Sequence, residues 1–319
     1  MMGNEFKVLA LSGGGYRGLF TAQVLAQLEK ATGKRIVDQF DLITGTSIGG
    51  IIALALADGK RPAEIAQLFK DKGKEIFPRC SFVPKWLWAI KGLNRSLYDA
   101  RGLTDILNHW FANKQMQDLE HAFVMVPATR ASTGSPKFFK TPHDGELFMD
   151  REIPVVDVAL ATSAAPVYFP MHKISADNTR YIDGGLVGNA PGLFGYIEAI
   201  TRLKCDPEDV CVLSVGTLRG MPCISEKTSK RPWLWYWLNP LKPRLLDIMF
   251  SVQEQQTENM LTILMGDRYA KIDTPVSPEA VNDIGIDDAS DNAQVALLSR
   301  ANEEAGLFSR TSFFKDYLN

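Results

Sequence analysis

The sequence predicts an α/β fold, a sandwich of helices around a mostly parallel central sheet. Short apolar runs of strand length alternate with segments of helical periodicity, which is typical of parallel strands joined by helical crossovers. Glycine-rich turns follow the first two apolar runs. At 319 residues, of which 45% are hydrophobic and 23% charged, the chain is long enough to bury a large core without disulfides or metals.

The first half of the chain carries the clearest alternation. Phe6–Leu11 is a short apolar run, which predicts a buried strand. Leu19–Thr32 places its apolar residues on one helical face, and Gly33 follows as a helix terminator. Leu42–Thr44 predicts a second strand, and a tight turn connects it to an apolar helix over Ile51–Ala57.

The rest of the chain continues this pattern. Helices are predicted from Pro62 towards Phe77 and over Val155–Thr162, Leu241–Met265 and Asn292–Ala305, and strands over Ala122–Thr129, Lys137–Thr141, Tyr181-Ile182, Val210–Val215 and Tyr269–Ile272. Because no repeat, low-complexity tract or linker divides the sequence, we predict one catalytic domain over residues 1–319.

Composition and charge narrow the function classes. A net charge of −2 argues against a nucleic-acid polymer as the partner. The 4 cysteines form no CxxC pair and no metal-ligand spacing, so we expect no metal and a reducing compartment. The N-terminus lacks a signal-peptide pattern, and the longest near-apolar run, Ile48–Ala57, is too short to span a bilayer. We therefore expect a cytoplasmic protein.

A serine stands in the turn after the second predicted strand. Gly45–Gly49 reads G-T-S-I-G and fits the G-x-S-x-G pattern of a nucleophile elbow. The elbow is a sharp strand-to-helix turn that exposes a serine hydroxyl beside the N–H groups of a helix N-terminus. The flanking strand and helix predictions supply this context, so Ser47 is the candidate nucleophile.

A run of glycines follows the first predicted strand. The N–H groups of Gly13, Gly14 and Gly15 are unobstructed and could converge on an oxyanion during acyl transfer. Arg17 would contribute a charge or tie down this loop. Together with Gly18 the loop also fits G-x-G-x-x-G, so a dinucleotide-binding oxidoreductase is an alternative. The acid that this fingerprint needs at the end of the second strand is missing.

Asp183, in the sequence D-G-G after Tyr181-Ile182, is the candidate general base. The chain has 4 histidines, at positions 109, 121, 143 and 172. None follows Asp183, which excludes the usual Ser-Asp-His order with this acid. His172 could pair with Asp157 only in a rearranged order. We therefore favour a dyad of Ser47 and Asp183 that needs no cofactor.

In this order the three motifs resemble those of the patatin-like phospholipases, whose pattern is a G-G-G-x-R/K-G loop, a G-x-S-x-G elbow and a D-G-G/A box. The match extends from Phe6 to about Pro191. The resemblance implies a patatin-like three-layer sandwich, a Ser47–Asp183 dyad and an oxyanion hole formed by the three loop glycines. It also implies phospholipase A activity without bound calcium.

The opening segment Val8–Ile52 is also similar to bacterial patatin-like effectors of cyclic-oligonucleotide anti-phage defence. This resemblance implies activation by a cyclic dinucleotide and membrane phospholipid as the substrate, at the inner face of the membrane. The alternative is a constitutive patatin-like lipase or esterase. Whether the chain forms a homo-oligomer stays open at this point.

Tryptophans cluster late in the chain. Trp233, Trp235 and Trp237 lie among the basic residues of Lys227–Arg244. Tryptophan favours the membrane–water interface, and basic residues favour anionic headgroups. We expect a lid, membrane-docking or regulatory insertion around residues 220–265. The alternative for these tryptophans is packing in the core or against a second subunit.

Overall fold

An eight-stranded sheet forms the centre of the protein. The computed structural model of the chain describes residues 5–78, 96–218, 244–275 and 284–319. The strands are β1 (Phe6–Leu11), β2 (Leu42–Gly45), β3 (Phe123–Arg130), β4 (Ser135–Lys140), β5 (His172–Ile174), β6 (Thr179–Ile182), β7 (Val210–Val215) and β8 (Tyr269–Ile272). Their order across the sheet is β5-β6-β3-β2-β1-β7-β8, and β4 also pairs with β3.

Parallel pairing dominates the middle of this sheet. β1 pairs in parallel with both β2 and β7, as do β2 with β3 and β7 with β8. The pairs β3–β4, β3–β6 and β5–β6 are antiparallel. The predicted α/β fold with a mostly parallel sheet is therefore confirmed. Because parallel strands end at the same edge, the loops after β1, β2, β7 and β8 come together there.

Nine α-helices surround the sheet in the described part of the chain. They are α1 (Gly18–Thr32), α2 (Ile48–Ala57), α3 (Pro62–Ile76), α4 (Arg101–Phe111), α5 (Val155–Thr162), α6 (Gly185–Gly188), α7 (Gly192–Thr201), α8 (Arg244–Met265) and α9 (Asp291–Phe308). Among the described residues, none of the helices combines the length and apolar character needed to cross a membrane.

The boundaries differ from the sequence predictions where tertiary contacts decide them. Gly33 ends α1 in the left-handed region, with φ 67°, as its position predicted. α2 begins at Ile48, three residues before the predicted start, because the elbow turns directly into the helix. The three-residue strand β5 was not predicted, since it is defined by its pairing with β6 rather than by a local apolar run.

The two faces of the sheet carry separate cores. Leu9 and Leu11 pack on one face with residues of α1, α2, α5 and α9. Val8 and Ala10 pack on the other face with residues of α7 and α8. Successive side chains of a strand point to opposite faces, so β1 contributes to both cores. The resulting arrangement of helices, sheet and helices is the sandwich expected from the sequence.

Candidate active site

The turn between β2 and α2 holds Ser47 in a strained backbone conformation. Ser47 has φ 54° and ψ −122°, which residues other than glycine rarely adopt. A side chain at Gly45 would lie 2.2 Å from the carbonyl oxygen of Gly49, and one at Gly49 would lie 2.3 Å from the carbonyl oxygen of Leu11. The close approach of β1, β2 and α2 therefore requires both glycines of the elbow.

The hydroxyl of Ser47 donates a hydrogen bond to Asp183, which follows β6. The distance from Ser47 Oγ to Asp183 Oδ2 is 2.8 Å. The other carboxylate oxygen, Oδ1, accepts a hydrogen bond from the N–H of Gly185 at 2.6 Å. The N–H of Asp183 donates to the carbonyl oxygen of Ala164 at 3.0 Å. These contacts fix the carboxylate so that one of its oxygens faces the serine.

Burial changes the basicity of this carboxylate. Asp183 is only 3% exposed, and the loss of surrounding water raises its pKa from 3.8 to about 6, against the lowering effect of the hydrogen bonds from Gly185 and Ser47. A carboxylate with this pKa is a stronger base than an exposed aspartate and is still ionised at neutral pH. Asp183 is therefore equipped to accept the proton of Ser47.

The glycine-rich loop after β1 lies against Ser47, but its three N–H groups are not equivalent. A side chain at Gly13 would lie 3.2 Å from Ser47 Cβ. The N–H of Gly13 donates to the carbonyl oxygen of Asn189 at 3.1 Å, so it already has a partner in this structure, and its role as an oxyanion donor stays a prediction. Across residues 5–78, 96–218, 244–275 and 284–319, no partner engages the N–H of Gly14 or Gly15. These two are the loop's candidate oxyanion donors.

The direction of the Gly14 N–H is set by the carbonyl group of the same peptide unit. Gly13 O accepts hydrogen bonds from Thr217 Oγ1 at 2.9 Å and from Asn189 Nδ2 at 3.3 Å. Both donors are buried. The C=O and N–H of a trans peptide point in opposite directions. Fixing the Gly13 carbonyl therefore fixes where the Gly14 N–H points.

Arg17 holds the other side of the same loop. The backbone N–H of Arg17 donates to the carbonyl oxygen of Gly14 at 3.3 Å. This bond fixes the peptide unit that also carries the Gly15 N–H. Arg17 Nη1 donates to the carbonyl oxygen of Leu218 at 3.0 Å. Burial lowers the pKa of Arg17, and nearby carboxylates, Glu254 foremost, oppose that effect. Arg17 thus links the loop after β1 to the segment after β7.

Sequence reasoning missed a buried acid behind this loop. Glu254 of α8 is 7% exposed, and its Oε1 accepts a short hydrogen bond from Asn189 Nδ2. Burial, followed by the charge of Asp273, raises the pKa of Glu254 to about 7. Nothing in the polar stretch around Glu254 sets it apart from solvent-facing residues, and it lies 65 positions from Asn189. A local pattern could not have identified it.

The histidines occupy other parts of the fold. His172 Nε2 lies 2.8 Å from Asp157 Oδ1, and these side chains are 23% and 25% exposed. His143 Nε2 lies 3.0 Å from Glu198 Oε1. The pair considered for a rearranged triad therefore exists, but the hydroxyl of Ser47 donates to the acid after β6 instead.

The tryptophans that the sequence predicts at a membrane surface are not among the described residues. Trp233, Trp235 and Trp237 lie outside them, as does the first part of the insertion expected around residues 220–265. The second part of that range is α8, which contributes buried residues such as Leu261 to the core on one face of the sheet. A role for the tryptophans in membrane contact stays a prediction.

Comparison with known proteins places these features in a family. Residues 9–192 match the family described as patatin-like phospholipase, and this range contains the glycine loop, the elbow and Asp183. A cGAMP-activated phospholipase of Pseudomonas aeruginosa is 41% identical over 307 residues, covering 94% of this chain and 88% of the relative. One of Escherichia coli is 36% identical over 332 residues, covering 98% and 92%.

A third relative is named after a different activating nucleotide. A cUMP-AMP-activated phospholipase of Escherichia coli is 30% identical over 222 residues, covering 67% of this chain and 65% of that protein. The similarity to the two cGAMP-activated relatives is both higher and more extensive.

Proposed function

This chain belongs to the patatin-like phospholipase family, and we propose that it hydrolyses fatty-acyl esters of membrane phospholipids with Ser47 as the nucleophile and Asp183 as the general base. The observation that carries this proposal is the 2.8 Å hydrogen bond between Ser47 Oγ and Asp183 Oδ2. It joins a serine on a strained strand-to-helix turn to a buried carboxylate of raised pKa. A solvent-exposed serine and aspartate would lack both features.

In the first step Ser47 Oγ attacks the ester carbonyl carbon while its proton passes to Asp183 Oδ2. The carbonyl oxygen becomes an oxyanion and accepts hydrogen bonds from the N–H groups of Gly14 and Gly15. The tetrahedral intermediate then expels the lysophospholipid alkoxide. Asp183 returns the proton to this leaving oxygen, and the acyl chain stays as an ester on Ser47.

In the second step water replaces the lysophospholipid. Asp183 takes one proton from the water as its oxygen attacks the acyl carbon, and the same N–H groups stabilise the new oxyanion. Collapse of this intermediate breaks the bond to Ser47 Oγ, which recovers its proton from Asp183. The fatty acid leaves and the dyad is restored.

In our proposal a cyclic dinucleotide switches this activity on, within cytoplasmic anti-phage defence at the inner face of the membrane. The support is the similarity to relatives named as cGAMP-activated phospholipases, which extends over 94% and 98% of this chain. A messenger activates only if it binds the active arrangement more tightly than the inactive one. A switch from 1:99 to 99:1 requires a difference of about 5.5 kcal/mol.

The test measures fatty-acid release from liposomes of phosphatidylethanolamine and phosphatidylglycerol. Wild-type protein and Ser47→Ala are each incubated with no nucleotide, with cyclic GMP–AMP or with cyclic UMP–AMP. We expect release only from the wild type and only with cyclic GMP–AMP. Equal release in all wild-type arms would indicate a constitutive lipase. Release by Ser47→Ala would overturn the assignment of the nucleophile.

A further inference from the structure

Thr162, the last residue of α5, contacts both halves of the proposed dyad. Its side chain is fully buried. Its hydroxyl oxygen accepts a hydrogen bond from the N–H of Ser47 at 3.0 Å. Its carbonyl oxygen accepts one from the N–H of Gly184 at 3.0 Å. One residue therefore holds the backbone of the elbow and the backbone directly after Asp183.

The orientation of the Thr162 hydroxyl is itself fixed. A hydroxyl has one proton to donate and two lone pairs to accept with. Thr162 Oγ1 donates that proton to the carbonyl oxygen of Pro127 in β3, at 2.7 Å. A lone pair is left to face the Ser47 N–H, so the hydroxyl cannot turn round and act as a donor towards Ser47.

The surroundings of Thr162 leave little space for adjustment. A side chain at Gly50 would lie 2.9 Å from Thr162 Cγ2, and one at Gly184 would lie 3.0 Å from Thr162 Oγ1. The glycines of the elbow helix and of the acid loop thus pack directly on this side chain. Because these atoms are so closely packed, a shift of the Thr162 side chain would displace both loops.

We infer that Thr162 is a positioning residue for the hydrolytic reaction, a role that rests on the proposed function. Ser47 adopts its positive φ only while the surrounding structure holds it there. The Thr162 hydroxyl holds the Ser47 N–H, and the Thr162 carbonyl holds the peptide after Asp183. Together they set the 2.8 Å separation of Ser47 Oγ and Asp183 Oδ2.

The chain offers a matched control in Thr44 of β2. Thr44 is fully buried, like Thr162, and lies three positions before Ser47. In the described part of the chain its Oγ1 has no hydrogen-bond partner. Thr162→Val and Thr44→Val therefore make the same change of a buried hydroxyl to a methyl group. Only the first removes hydrogen bonds.

The experiment compares these variants with Thr162→Ser, which keeps the hydroxyl. For each we measure the rate of Ser47 labelling by a fluorophosphonate, kcat and KM on a soluble short-chain ester, and the melting temperature. Thr162→Val is expected to lose roughly 10- to 100-fold in labelling rate and kcat with little change in KM, since small displacements of reacting groups cost rates of this order. Thr162→Ser and Thr44→Val should stay within about threefold of the wild type.

A pH profile separates positioning from general damage. Thr162→Val removes the hydroxyl that holds the Ser47 N–H and leaves in place the burial of Asp183 and its contact to the Gly185 N–H. Its rate should be lower at every pH, and the acid midpoint should stay near 6, because burial is the main cause of the raised pKa of Asp183. A midpoint near 4 would show that the variant exposes Asp183 to water and would overturn the role assigned to the hydroxyl.

The outcomes distinguish this inference from the proposed function. If Ser47 is labelled in the wild type and Thr162→Val reacts as fast, the positioning role is overturned while the function stands. If Ser47 of the wild type is not labelled and its replacement leaves hydrolysis intact, both fail. Should Thr162→Val not fold, the comparison of Thr162→Ala with Thr162→Ser isolates the hydroxyl, because both lack the methyl group. Equal rates for these two would also reject the inference.

Discussion

Two acid-containing pairs in this protein share the same separation but differ in surroundings. Ser47 Oγ and Asp183 Oδ2 lie 2.8 Å apart, as do His172 Nε2 and Asp157 Oδ1. Asp183 is 3% exposed and directly follows β6, the second strand of the sheet. The side chains of His172 and Asp157 are 23% and 25% exposed, and His172 lies in the edge strand β5.

The comparison indicates that distance alone does not identify a catalytic pair. The histidine pair has the residue types usually associated with proton transfer, but it has access to solvent, and among the described residues no serine donates to it. The aspartate of the other pair is desolvated, which raises its pKa to about 6, and it faces a serine on a strained turn. Burial, strain and the identity of the donor separate the two pairs.

The largest expected difference between the two pairs is in the effect on hydrolysis of replacing Ser47 or His172. Ser47→Ala should lower phospholipid hydrolysis by on the order of 10⁴-fold or more, because in the proposed mechanism the acyl intermediate forms on Ser47. His172→Ala should lower it by less than about fivefold, since a partly exposed side-chain contact away from Ser47 contributes little. Fatty-acid release with matched circular dichroism spectra measures both. A severe loss in His172→Ala would reverse the roles of the pairs.

Replacing the acid of each pair should change kcat by amounts that differ nearly as much. Asp183→Asn keeps the size of the side chain but cannot accept the proton of Ser47, and we expect a loss of roughly 10³- to 10⁴-fold in kcat. Asp157→Asn makes the same change in the other pair and should stay within about fivefold of the wild type. Comparable losses in both variants would mean that Asp157 takes part in the reaction.

The pH dependence follows from the raised pKa of Asp183. Its pKa of about 6 means that the base becomes protonated as the pH falls through 6, so kcat/KM should drop about tenfold per pH unit below that value. The His172→Ala variant should give the same midpoint. A midpoint near 4, or one that moves in His172→Ala, would contradict a buried aspartate as the base.

The smallest expected effect is on stability, and its sign differs between the pairs. The folded-state pKa of Asp183, about 6, exceeds its ordinary 3.8, so its stabilising contribution is complete below pH 4 and is lost as the pH rises through 6. At pH 8 Asp183→Asn should be more stable than the wild type by at most about 3 kcal/mol. Thermal unfolding should show an advantage of a few degrees that vanishes near pH 4.

The same Asp-to-Asn substitution in the partly exposed His172–Asp157 pair should lower the stability instead. Asp157→Asn replaces a partly exposed carboxylate by a neutral amide and so weakens the contact to His172 without removing a buried charge, and we expect a loss of about 1 kcal/mol or less at pH 8. Thermal unfolding of both variants in one buffer series makes the comparison direct. If Asp183→Asn is less stable than the wild type at pH 8, the hydrogen bonds to the Asp183 carboxylate outweigh the cost of burying its charge.

Much of the fold could be predicted from the sequence because several of its strands coincide with short, mostly apolar runs. Phe6–Leu11, Val210–Val215 and Tyr269–Ile272 were predicted with the bounds that the structure gives. The elbow was also accessible, since the close backbone contacts there demand glycine. β5 and the helix α7 were not predicted, because β5 is too short for periodicity and α7 lies among glycines.

The sequence by itself determined the motifs that depend on local backbone geometry, namely the glycine loop, the elbow of Ser47 and the turn after Asp183. Only the tertiary structure decided how they act together. It brings Ser47 to an acid 136 positions away and to a threonine 115 positions away. It also engages the N–H of Gly13 and leaves those of Gly14 and Gly15 available within the described residues. The physical reason is that glycine requirements arise between close neighbours in the chain, whereas burial and hydrogen-bond partners arise from packing between distant segments.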